Sequence, residues 1–493
     1  MKVAICYPPL ESEKGVPLLT QNRQFQWFSR PTYIFPVVPA TAATMLKEAG
    51  HEVLFLDGIA AELSSNEFEA RLEAFGPELV VLETKTPVVK RHWDWVRRFV
   101  DSSIRRFGDS GRARVVLVGD HVTAMPEESM AACPVDYILT GGDWDFLLKN
   151  IVESNFAPEK FEPGIWYREN GAVKNTGRFR LDHDLNSAPW IDRDLVSWEL
   201  YAKKNGNFKR TPGTYIMSGR DCWHAKCTFC SWTTLYPTYR TRDAVDVVDE
   251  IEMLVEKYGV REIMDDSGSL PIGAWLKTFC DEIIRRGLNK KLRIDCNMRF
   301  GALGYEDYRL MRKAGFRLVL FGVESANQET LDRFSKRLKV EDVVQGAAWA
   351  SKAGLAVHLT FMFGHAWEGP KEIANTVKLA RRLLASGHAA TLQCTLTIPY
   401  PGTPLFRELK EKDGLATLDW DEYDQRRAIT KTPLATEDEI KAAIRDVYRG
   451  FLQPRALWHL FRRNLFDVSF YWRGLMYLRG HLFDFKDVKR SAT

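Results

Sequence analysis

The chain has 493 residues, which exceeds one ordinary domain and suits two or three. Hydrophobic residues are 45% and charged residues 27%, as in soluble globular proteins. The net charge of +4 gives no case for a nucleic-acid partner. No apolar run reaches the roughly 20 residues of a membrane helix, and the first ten residues do not resemble a secretory signal. We therefore expect a cytoplasmic protein with reduced thiols.

Residues 1–150 alternate short apolar runs with amphipathic segments, which predicts strands separated by helices. Such alternation implies right-handed crossovers and a Rossmann-like parallel sheet of the α/β class. Ligands of such sheets lie beyond the carboxyl ends of the strands. The predicted strands are Lys2 to Cys6, His51 to Leu56, Leu79 to Glu83, Arg114 to Val118 and Tyr137 to Thr140, and the predicted helices are Pro39 to Gly50, Glu67 to Phe75 and His92 to Arg106.

Residues 151–210 have weaker periodicity and are interpreted as a linker, with one strand at Ile165 to Arg168 before an Asn170-Gly171 turn. A second alternation over residues 211–430 predicts a partial (β/α)6 barrel of the TIM type, with its site at the carboxyl ends of the strands. The predicted barrel strands are Thr214 to Ser218, Glu262 to Asp265, Arg293 to Asn297, Leu318 to Phe321, Val357 to Phe363 and Thr391 to Ile398.

The C-terminal residues 431–493 are predicted to be helical. Glu437 to Gln453 reads as one helix, and residues 454–485 are rich in aromatic residues and arginine. One interpretation is a helical cap packed on the barrel. The other is a basic amphipathic surface that contacts lipid or a membrane.

Three of the eight cysteines, Cys222, Cys227 and Cys230, fall within nine positions. The other five are scattered in apolar contexts and are predicted to be buried structural thiols. Clustered thiolates hold metals, and three of them leave one iron of a [4Fe–4S] cube open for another ligand. A zinc site with His224 as fourth ligand is the alternative.

The cysteine run resembles the signature of the radical S-adenosylmethionine (SAM) superfamily. The usual spacing is C-x3-C-x2-C, whereas this chain has C-x4-C-x2-C. The resemblance implies that the open iron chelates SAM and that an electron from the cluster splits SAM into a 5′-deoxyadenosyl radical. Strand-end motifs that include a G-x-E-S and a P-x-P-G-T-P stretch also match. The residues implied to contact SAM are Asp265, Asp266, Ser267, Asn297, Arg299, Gly322, Glu324, Ser325 and Gly364.

The first domain resembles the cobalamin-binding domain of one radical SAM class. The stretch from His121 to Glu128 resembles its H-x-T-A-x-P-E-E motif, and Gly141-Gly142-Asp143 stands where that class has G-E-G-E. Asp57-Gly58-Ile59 lacks the histidine of D-x-H-x-x-G, which implies cobalamin without a histidine lower ligand. A sheet that has lost its cofactor is the alternative. The implied cobalamin contacts are Thr84, Thr86, Gly119, His121, Thr123, Gly141 and Gly142.

The resemblance implies a cobalamin-dependent radical SAM enzyme that methylates an unactivated carbon of a small-molecule or lipid-like substrate. It also implies an external electron donor such as flavodoxin or ferredoxin. A cyclase or rearrangement enzyme with the same cofactors is one alternative, and a non-catalytic cobalamin or cluster sensor or assembly factor is another. The sequence assigns no catalytic side chain, and neither a G-x-S-x-G elbow nor a nucleotide-phosphate loop is present.

Overall fold

A computed structural model describes residues 1–17, 27–28, 32–108, 111–203, 205, 208–463 and 465. Two large β-sheets dominate the described part of the chain, one of seven strands and one of six. None of the helices in these ranges has the length and apolar character that crossing a bilayer requires.

The first sheet contains the predicted parallel strands in the order β4-β1-β5-β6-β7. A hairpin of β8 and β9 extends this sheet with antiparallel pairing, so part of the segment interpreted as a linker is sheet. A short ladder of β2 and β3 lies outside it. The strands are β1 (Lys2–Tyr7), β2 (Val16–Pro17), β3 (Trp27–Phe28), β4 (Glu52–Asp57), β5 (Leu79–Glu83), β6 (Arg114–Val118), β7 (Tyr137–Leu139), β8 (Ile165–Glu169) and β9 (Ala172–Asn175).

Helices connect these strands and cover both faces of the sheet. Local signals set their ends: α2 begins with a capping box of Ser64 and Glu67 and ends at left-handed Gly76. The helices are α1 (Val37–Glu48), α2 (Ser65–Phe75), α3 (Val89–Phe107), α4 (Asp120–Ala124), α5 (Pro126–Ala132), α6 (Trp144–Glu153) and α7 (Glu199–Ala202).

The second sheet is the predicted partial barrel. Its six strands are parallel and neighbour one another in chain order, β10-β13-β14-β15-β16-β17, which confirms the α/β prediction. A separate two-stranded ladder, β11 with β12, follows the first barrel strand. The strands are β10 (Gly213–Ile216), β11 (Gly219–Arg220), β12 (Arg240–Thr241), β13 (Glu262–Asp265), β14 (Arg293–Met298), β15 (Phe316–Glu324), β16 (Ala356–Phe363) and β17 (Thr391–Leu396).

Helices fill the gaps between the barrel strands, and three of the described helices follow the last strand. The predicted helix over Glu437 to Gln453 ends at Arg449, followed by a one-turn 3-10 helix, Gly450–Leu452. The helices are α8 (Trp232–Leu235), α9 (Ala244–Tyr258), α10 (Ala274–Arg285), α11 (Leu288–Lys291), α12 (Tyr305–Lys313), α13 (Gln328–Arg333), α14 (Val340–Lys352), α15 (Pro370–Ala385), α16 (Pro404–Glu411), α17 (Glu437–Arg449) and α18 (Pro454–Arg463).

The C-terminal prediction is described only in part. Helices α17 and α18 pack against α15, on the outside of the barrel. Exposed apolar and basic side chains lie together on α18, including Trp458 and Phe461. The remainder of the predicted helical region, residue 464 and residues 466–493, lies outside the described residues.

Residues that follow the last barrel strand help the helices of the first domain to cover one face of the first sheet. The alternation of β1 places Val3 and Ile5 in one core and Ala4 and Cys6 in another. The second core is completed by side chains from a segment we call the strap, residues 398–430. The strap residues in that core are Ile398, Tyr400, Phe406, Trp420, Tyr423 and Ile429. The two sheets therefore share their apolar cores.

Candidate functional site

A cavity of about 1430 Å³ runs along the interior of the partial barrel. Cysteine side chains line it at the carboxyl ends of the strands, and Arg317 and Thr391 line it near the amino ends. A TIM barrel is ordinarily filled by layers of its own side chains. The interior of this barrel is instead open along the length of its strands, so a ligand can occupy it.

The three clustered cysteines lie together on this cavity. Cys222, Cys227 and Cys230 are half-buried and all line it, in the loop between β11 and β12. The backbone of this loop is pinned at Thr228, whose amide donates to Phe334 and whose carbonyl accepts from Leu405. The loop therefore has fixed contacts with the segment after α13 and with the first turn of α16.

Cations surround the thiols. The Arg299 guanidinium lies 3.8 Å from Cys227 Sγ and stacks over the Trp223 ring at 5.3 Å. Burial raises the pKa of the Cys227 thiol, and the charges of Lys336 and Arg299 act in the opposite direction. Because a metal binds the thiolate, cations at this point favour the form that a cluster needs.

His224 does not complete a zinc site. Its Nε2 atom lies 2.8 Å from the carbonyl oxygen of Ser335, the geometry of a donated hydrogen bond. Burial and the neighbouring Arg299 lower the pKa of His224 to about 4. Across the described ranges, no three His, Cys, Asp or Glu side chains converge on one metal ion. Three thiols on an open, cationic cavity fit an iron–sulfur cluster better than a closed zinc site.

The three residues Asp265, Asp266 and Ser267 at the end of β13 do not all face the cavity. Asp266 lines the cavity, whereas Asp265 and Ser267 do not line it and are almost completely buried. The Ser267 amide donates to Asp265 Oδ1 at 2.9 Å, and the Ser267 hydroxyl accepts from the Gly219 amide at 2.9 Å. Burial raises the pKa of Asp265. Asp265 and Ser267 therefore brace the strand that leads into the cysteine loop.

Four of the other residues implied to contact SAM line the cavity beside the cysteines: Asn297, Arg299, Gly322 and Glu324. The register of β15 against β16 is irregular between Gly322 and Glu324, and Glu324 has a φ of +69°. Such an irregularity re-aims a side chain at a strand end. A Cβ on Gly322 would lie 2.3 Å from Glu324 Oε1. The glycine is needed because the Glu324 carboxylate folds back over it.

Like Asp265 and Ser267, the implied SAM contacts Ser325 and Gly364 do not line the cavity. The Ser325 hydroxyl is fully buried and donates to Glu368 Oε1 at 2.7 Å. Gly364 faces Leu396 and Ile440. In the structure these two positions support the strand ends, which differs from the contact role that the motif implies.

Sequence reasoning missed Lys336. Its ammonium group is buried and donates to Glu324 Oε1, and the side chain also lines the cavity. Lys336 lies over the Phe229 ring at 5.9 Å, just before the third cysteine. It follows α13 and not a barrel strand, so no strand-end pattern indicated it. The sequence shows Lys336 only as part of a short basic stretch with Arg333, Arg337 and Lys339.

The residues implied to bind cobalamin come together at the carboxyl ends of β5, β6 and β7, but none of them lines the cavity. They bond mainly to each other. Thr86 Oγ1 lies 3.2 Å from His121 Nδ1, and Thr123 donates to Gly119 and accepts from Gly141. Thr84 Oγ1 lies 2.7 Å from the His92 ring.

The backbone of the three glycines is closely covered by protein. A Cβ on Gly119 would meet the Thr84 carbonyl at 2.2 Å, and Cβ atoms on Gly141 and Gly142 would enter the rings of Phe179 and Tyr236. His121 is fully buried, between the rings of Trp93 and Trp420. These residues form the wall of the sheet edge and do not themselves form an open cradle.

The carboxyl edge of the first sheet faces the cysteine loop. Lys85, after β5, lies over the Trp232 ring at 5.8 Å. The Tyr236 hydroxyl donates to the Gly142 carbonyl at 2.9 Å, and a Cβ on Gly402 would lie 2.8 Å from Ala124 Cβ. The ligand edges of both parallel sheets therefore meet, and this arrangement fits a cofactor shared between the two sheets.

The sequence profile of the radical SAM superfamily matches residues 216–380. An uncharacterized methyltransferase of Pyrococcus horikoshii is 26% identical over 90% of this chain and 93% of its own length. An anaerobic magnesium-protoporphyrin IX monomethyl ester cyclase of Cereibacter sphaeroides is 26% identical, over 89% of this chain and 68% of its own length. A hopanoid C-3 methylase of Methylococcus capsulatus is 23% identical over 50% of this chain and 46% of its own length.

Two solved structures share the fold along most of the chain. The radical SAM methyltransferase TsrM of Kitasatospora setae, solved with cobalamin and a [4Fe–4S] cluster bound, has a TM-score of 0.67 at 18% identity, over 91% of this chain and 90% of that one. The cobalamin-dependent SAM radical enzyme OxsB has a TM-score of 0.68 at 14% identity, over 90% of this chain and 66% of that one. Residues 216–380 thus match the radical SAM superfamily, and most of the chain shares the fold of two radical SAM enzymes whose solved structures contain cobalamin.

Proposed function

We propose that this protein is a cobalamin-dependent radical SAM methyltransferase that acts on an unactivated carbon. The observation that carries the proposal is the cavity that Cys222, Cys227 and Cys230 share with Asp266, Asn297, Arg299 and Glu324. When bound, the cluster supplies the electron that splits SAM, and cobalamin supplies the methyl-transfer chemistry. The protein positions the reacting groups and keeps water away from them.

The residues around the cavity have separate roles in this proposal. The three cysteines hold the cluster. Asn297 and Asp266 orient the polar end of SAM, and Arg299 offers its guanidinium to a carboxylate. The Glu324 carboxylate, held by Lys336, accepts from the SAM amine or ribose. At the edge of the first sheet, Thr84, Thr86, Gly119, His121, Thr123, Gly141 and Gly142 form the wall against which cobalamin lies.

The cluster assignment is tested by anaerobic reconstitution of Cys227→Ala beside Cys394→Ala. Both cysteines are half-buried, but Cys394 lies outside the triplet. We expect Cys227→Ala to lose the cluster absorption and SAM cleavage under dithionite, and Cys394→Ala to keep both. A full cluster spectrum in Cys227→Ala would refute the ligand assignment. Wild-type protein that never cleaves SAM would instead support the sensor or assembly-factor alternative.

The cyclase relatives support a second candidate, an enzyme with the same cofactors but no methyl transfer. Turnover with methyl-labelled SAM separates the two. Methyl transfer requires one labelled methyl group in each product molecule. Product without label, formed together with 5′-deoxyadenosine, would replace the methyltransferase proposal by the cyclase or rearrangement reaction.

The cavity also supports a proposal on the substrate, a long molecule with an acidic end. Arg312, Lys352 and Arg463 line the cavity at the amino end of the barrel, and among the described residues none of them has a carboxylate partner. Arg317, at the same end, is paired with Asp295 and Glu262. The positive charge that remains suits a phosphate or carboxylate. Arg317 and Glu324 are separated by about 23 Å along β15.

This substrate proposal is tested with dodecyl phosphate and dodecanol as probes for the reconstituted protein. We expect dodecyl phosphate to bind more tightly than the alcohol, and Arg312→Gln with Lys352→Gln to remove the difference. Lys371→Gln, an exposed lysine on α15, is the control. Equal binding of both probes to the wild-type protein would contradict an acidic substrate end and leave the cluster assignment standing.

The electron donor, the contact with lipid and the cytoplasmic location are further parts of the proposal. A one-electron donor such as flavodoxin or ferredoxin has to reduce the cluster. The exposed apolar and basic face of α18 supports peripheral contact with lipid. A cytoplasmic location suits the free cysteines, because reducing compartments keep thiols available for a cluster.

A further inference from the structure

The cysteine loop is closed at its base by two arginines that face each other. Strands β11 and β12 enclose all three cysteines, and Arg220 pairs directly with Arg240 across this antiparallel ladder. Like charges in directly opposed positions destabilise a ladder. A two-residue strand pair also has few hydrogen bonds of its own. The loop therefore needs negative charge from elsewhere to stay closed.

The first domain supplies that charge from the segment that begins α6. Asp145 accepts hydrogen bonds from both terminal guanidinium nitrogens of Arg220, one of them at 2.8 Å. Asp143 bridges the two arginines: its Oδ1 accepts from Arg220 at 3.1 Å and from Arg240 at 2.8 Å. Arg240 also donates to Asp143 Oδ2 at 2.7 Å. We call Asp143, Asp145, Arg220 and Arg240 the clamp.

The clamp is buried and has further support. Asp143 and Asp145 are 2% and 1% exposed, and Arg220 is 6% exposed. His183 Nδ1 lies 3.0 Å from Asp143 Oδ2, and the Arg220 guanidinium lies over the Phe146 ring at 5.6 Å. Two-pronged arginine–carboxylate pairs fix geometry as well as charge. The removal of one member would leave a buried charge without its partner, which is costly.

We propose that Asp143 and Asp145 are positioning residues that close the cysteine loop around its cluster when the first domain docks on the barrel. The proposal rests on the cluster assignment of the preceding subsection. Neither aspartate lines the cavity, so both act through Arg220, two positions before Cys222. The segment Gly141-Gly142 precedes Asp143 at the edge where cobalamin is proposed to lie. The clamp thus joins the two cofactor regions through one short stretch of chain.

The test compares Asp145→Asn with Asp424→Asn. Asp424 is equally buried and forms an ion pair with Lys14 at 2.6 Å, far from the cysteine loop in sequence and contacts. Each variant is reconstituted anaerobically and measured for iron and sulfide, for the electron paramagnetic resonance spectrum of the reduced cluster with and without SAM, and for melting temperature. Asp145→Glu, which keeps the charge, is the conservative variant.

We expect Asp145→Asn to hold less iron, to lose the spectral change that SAM causes, and to cleave SAM about 10-fold more slowly. Asp145→Glu should recover part of each signal, and Asp424→Asn should retain all of them. If Asp145→Asn fails to fold, Arg240→Gln replaces it, because Arg240 is less buried and the change is milder. We expect the same losses of iron, of the spectral change with SAM and of SAM cleavage.

Two results would contradict the positioning role that we propose for the clamp. One is full iron content with a normal SAM-dependent spectrum in Asp145→Asn or Arg240→Gln. The other is an equal loss in Asp145→Asn and Asp424→Asn, which would indicate general destabilisation. Wild-type protein that binds no cluster would refute the proposed function itself, so the two failures can be told apart.

Discussion

Single side chains decide how the strand ends of the barrel present their polar groups. Glu324 leaves its strand with a φ of +69° and turns back over Gly322, where Lys336 meets it. Both members of this ion pair are more than nine-tenths buried. A buried pair beside an open cavity is stable only while both charges stay in place. The position of Glu324 thus depends on one glycine and one lysine.

Gly322→Ala tests that dependence. The added Cβ would lie 2.3 Å from Glu324 Oε1 and 2.9 Å from Lys336 Nζ, so the pair has to move. We expect a loss of about 1–3 kcal/mol in the free energy of unfolding and weaker SAM binding, measured by denaturation and by equilibrium dialysis. Gly304→Ala is the control, because its Cβ meets nothing closer than 3.7 Å. Unchanged SAM affinity in Gly322→Ala would contradict a role for Glu324 in SAM binding.

His183 gives the protein a pH dependence that can be assigned to one side chain. Burial lowers the pKa of His183, but hydrogen bonds to Asp143 and Glu162 outweigh burial and leave the pKa above its usual 6.5. A raised pKa means that the folded state binds the proton more tightly than the unfolded state. The stabilisation is therefore complete below the usual pKa and is lost as the pH rises through the raised value.

We expect His183→Gln to lower the free energy of unfolding by about 1.5–3 kcal/mol near pH 6. The difference from the wild type should narrow as the pH rises through the raised pKa and the wild-type histidine loses its proton. Urea unfolding over a pH series from 6 upward measures it. A gap that widens with pH would show that His183 is not held in its charged form.

Short elements between the regular strands determine how the domains meet. The 3-10 turn Trp420–Glu422 of the strap packs against α3 and the turn that precedes it. The Trp420 indole donates to Glu128 Oε1 at 2.9 Å, and its ring meets His121 edge to face at 5.2 Å. This turn thus joins the end of the barrel to the motif that resembles the cobalamin class.

Substitutions at Trp420 separate its packing from its hydrogen bond. We expect Trp420→Phe to cost about 1–3 kcal/mol, because the indole N–H and the smaller part of the ring volume are lost. Trp420→Ala should cost about 3–5 kcal/mol through the cavity it leaves. Chemical denaturation measures both. If both variants lost the same free energy, the hydrogen bond and not the ring would hold the strap.

Element type and order were predictable from sequence, because buried parallel strands read as apolar runs and helices carry their own end signals. The runs Leu79 to Glu83 and Arg114 to Val118 match the observed strands residue for residue. That Cys222, Cys227 and Cys230 lie together on one cavity was predictable from their spacing alone. Lys336 and the clamp were not, because each depends on contacts between segments distant in the chain. The same holds for Ser325, whose partner Glu368 lies 43 residues away.

At the scale of the whole molecule, the two sheets are not independent bodies. On the face of the first sheet that holds Ala4 and Cys6, the core is completed by Trp420, Tyr423 and other strap residues, which pack beside α2 and α3. Buried aromatic side chains contribute much of a core's stability. A fragment that ends before the barrel would expose the part of this core that the strap covers.

We therefore expect residues 1–175, produced alone, to lack cooperative unfolding. Near-ultraviolet circular dichroism and dye binding to exposed apolar surface would report the loss of packing. The full chain, in contrast, should unfold with coincident transitions in both regions. A fragment with a sharp transition and no dye binding would show that the first domain folds without the strap.

The open interior of the barrel has a consequence for selectivity. If an acidic end is held at the amino ends of the strands and the radical forms at their carboxyl ends, the barrel acts as a ruler. The carbon that reacts is then set by its distance from the acidic group, about 23 Å along β15. Chemical reactivity matters less than reach, so a substrate lengthened by two methylene groups should react at a carbon the same distance from its acidic end.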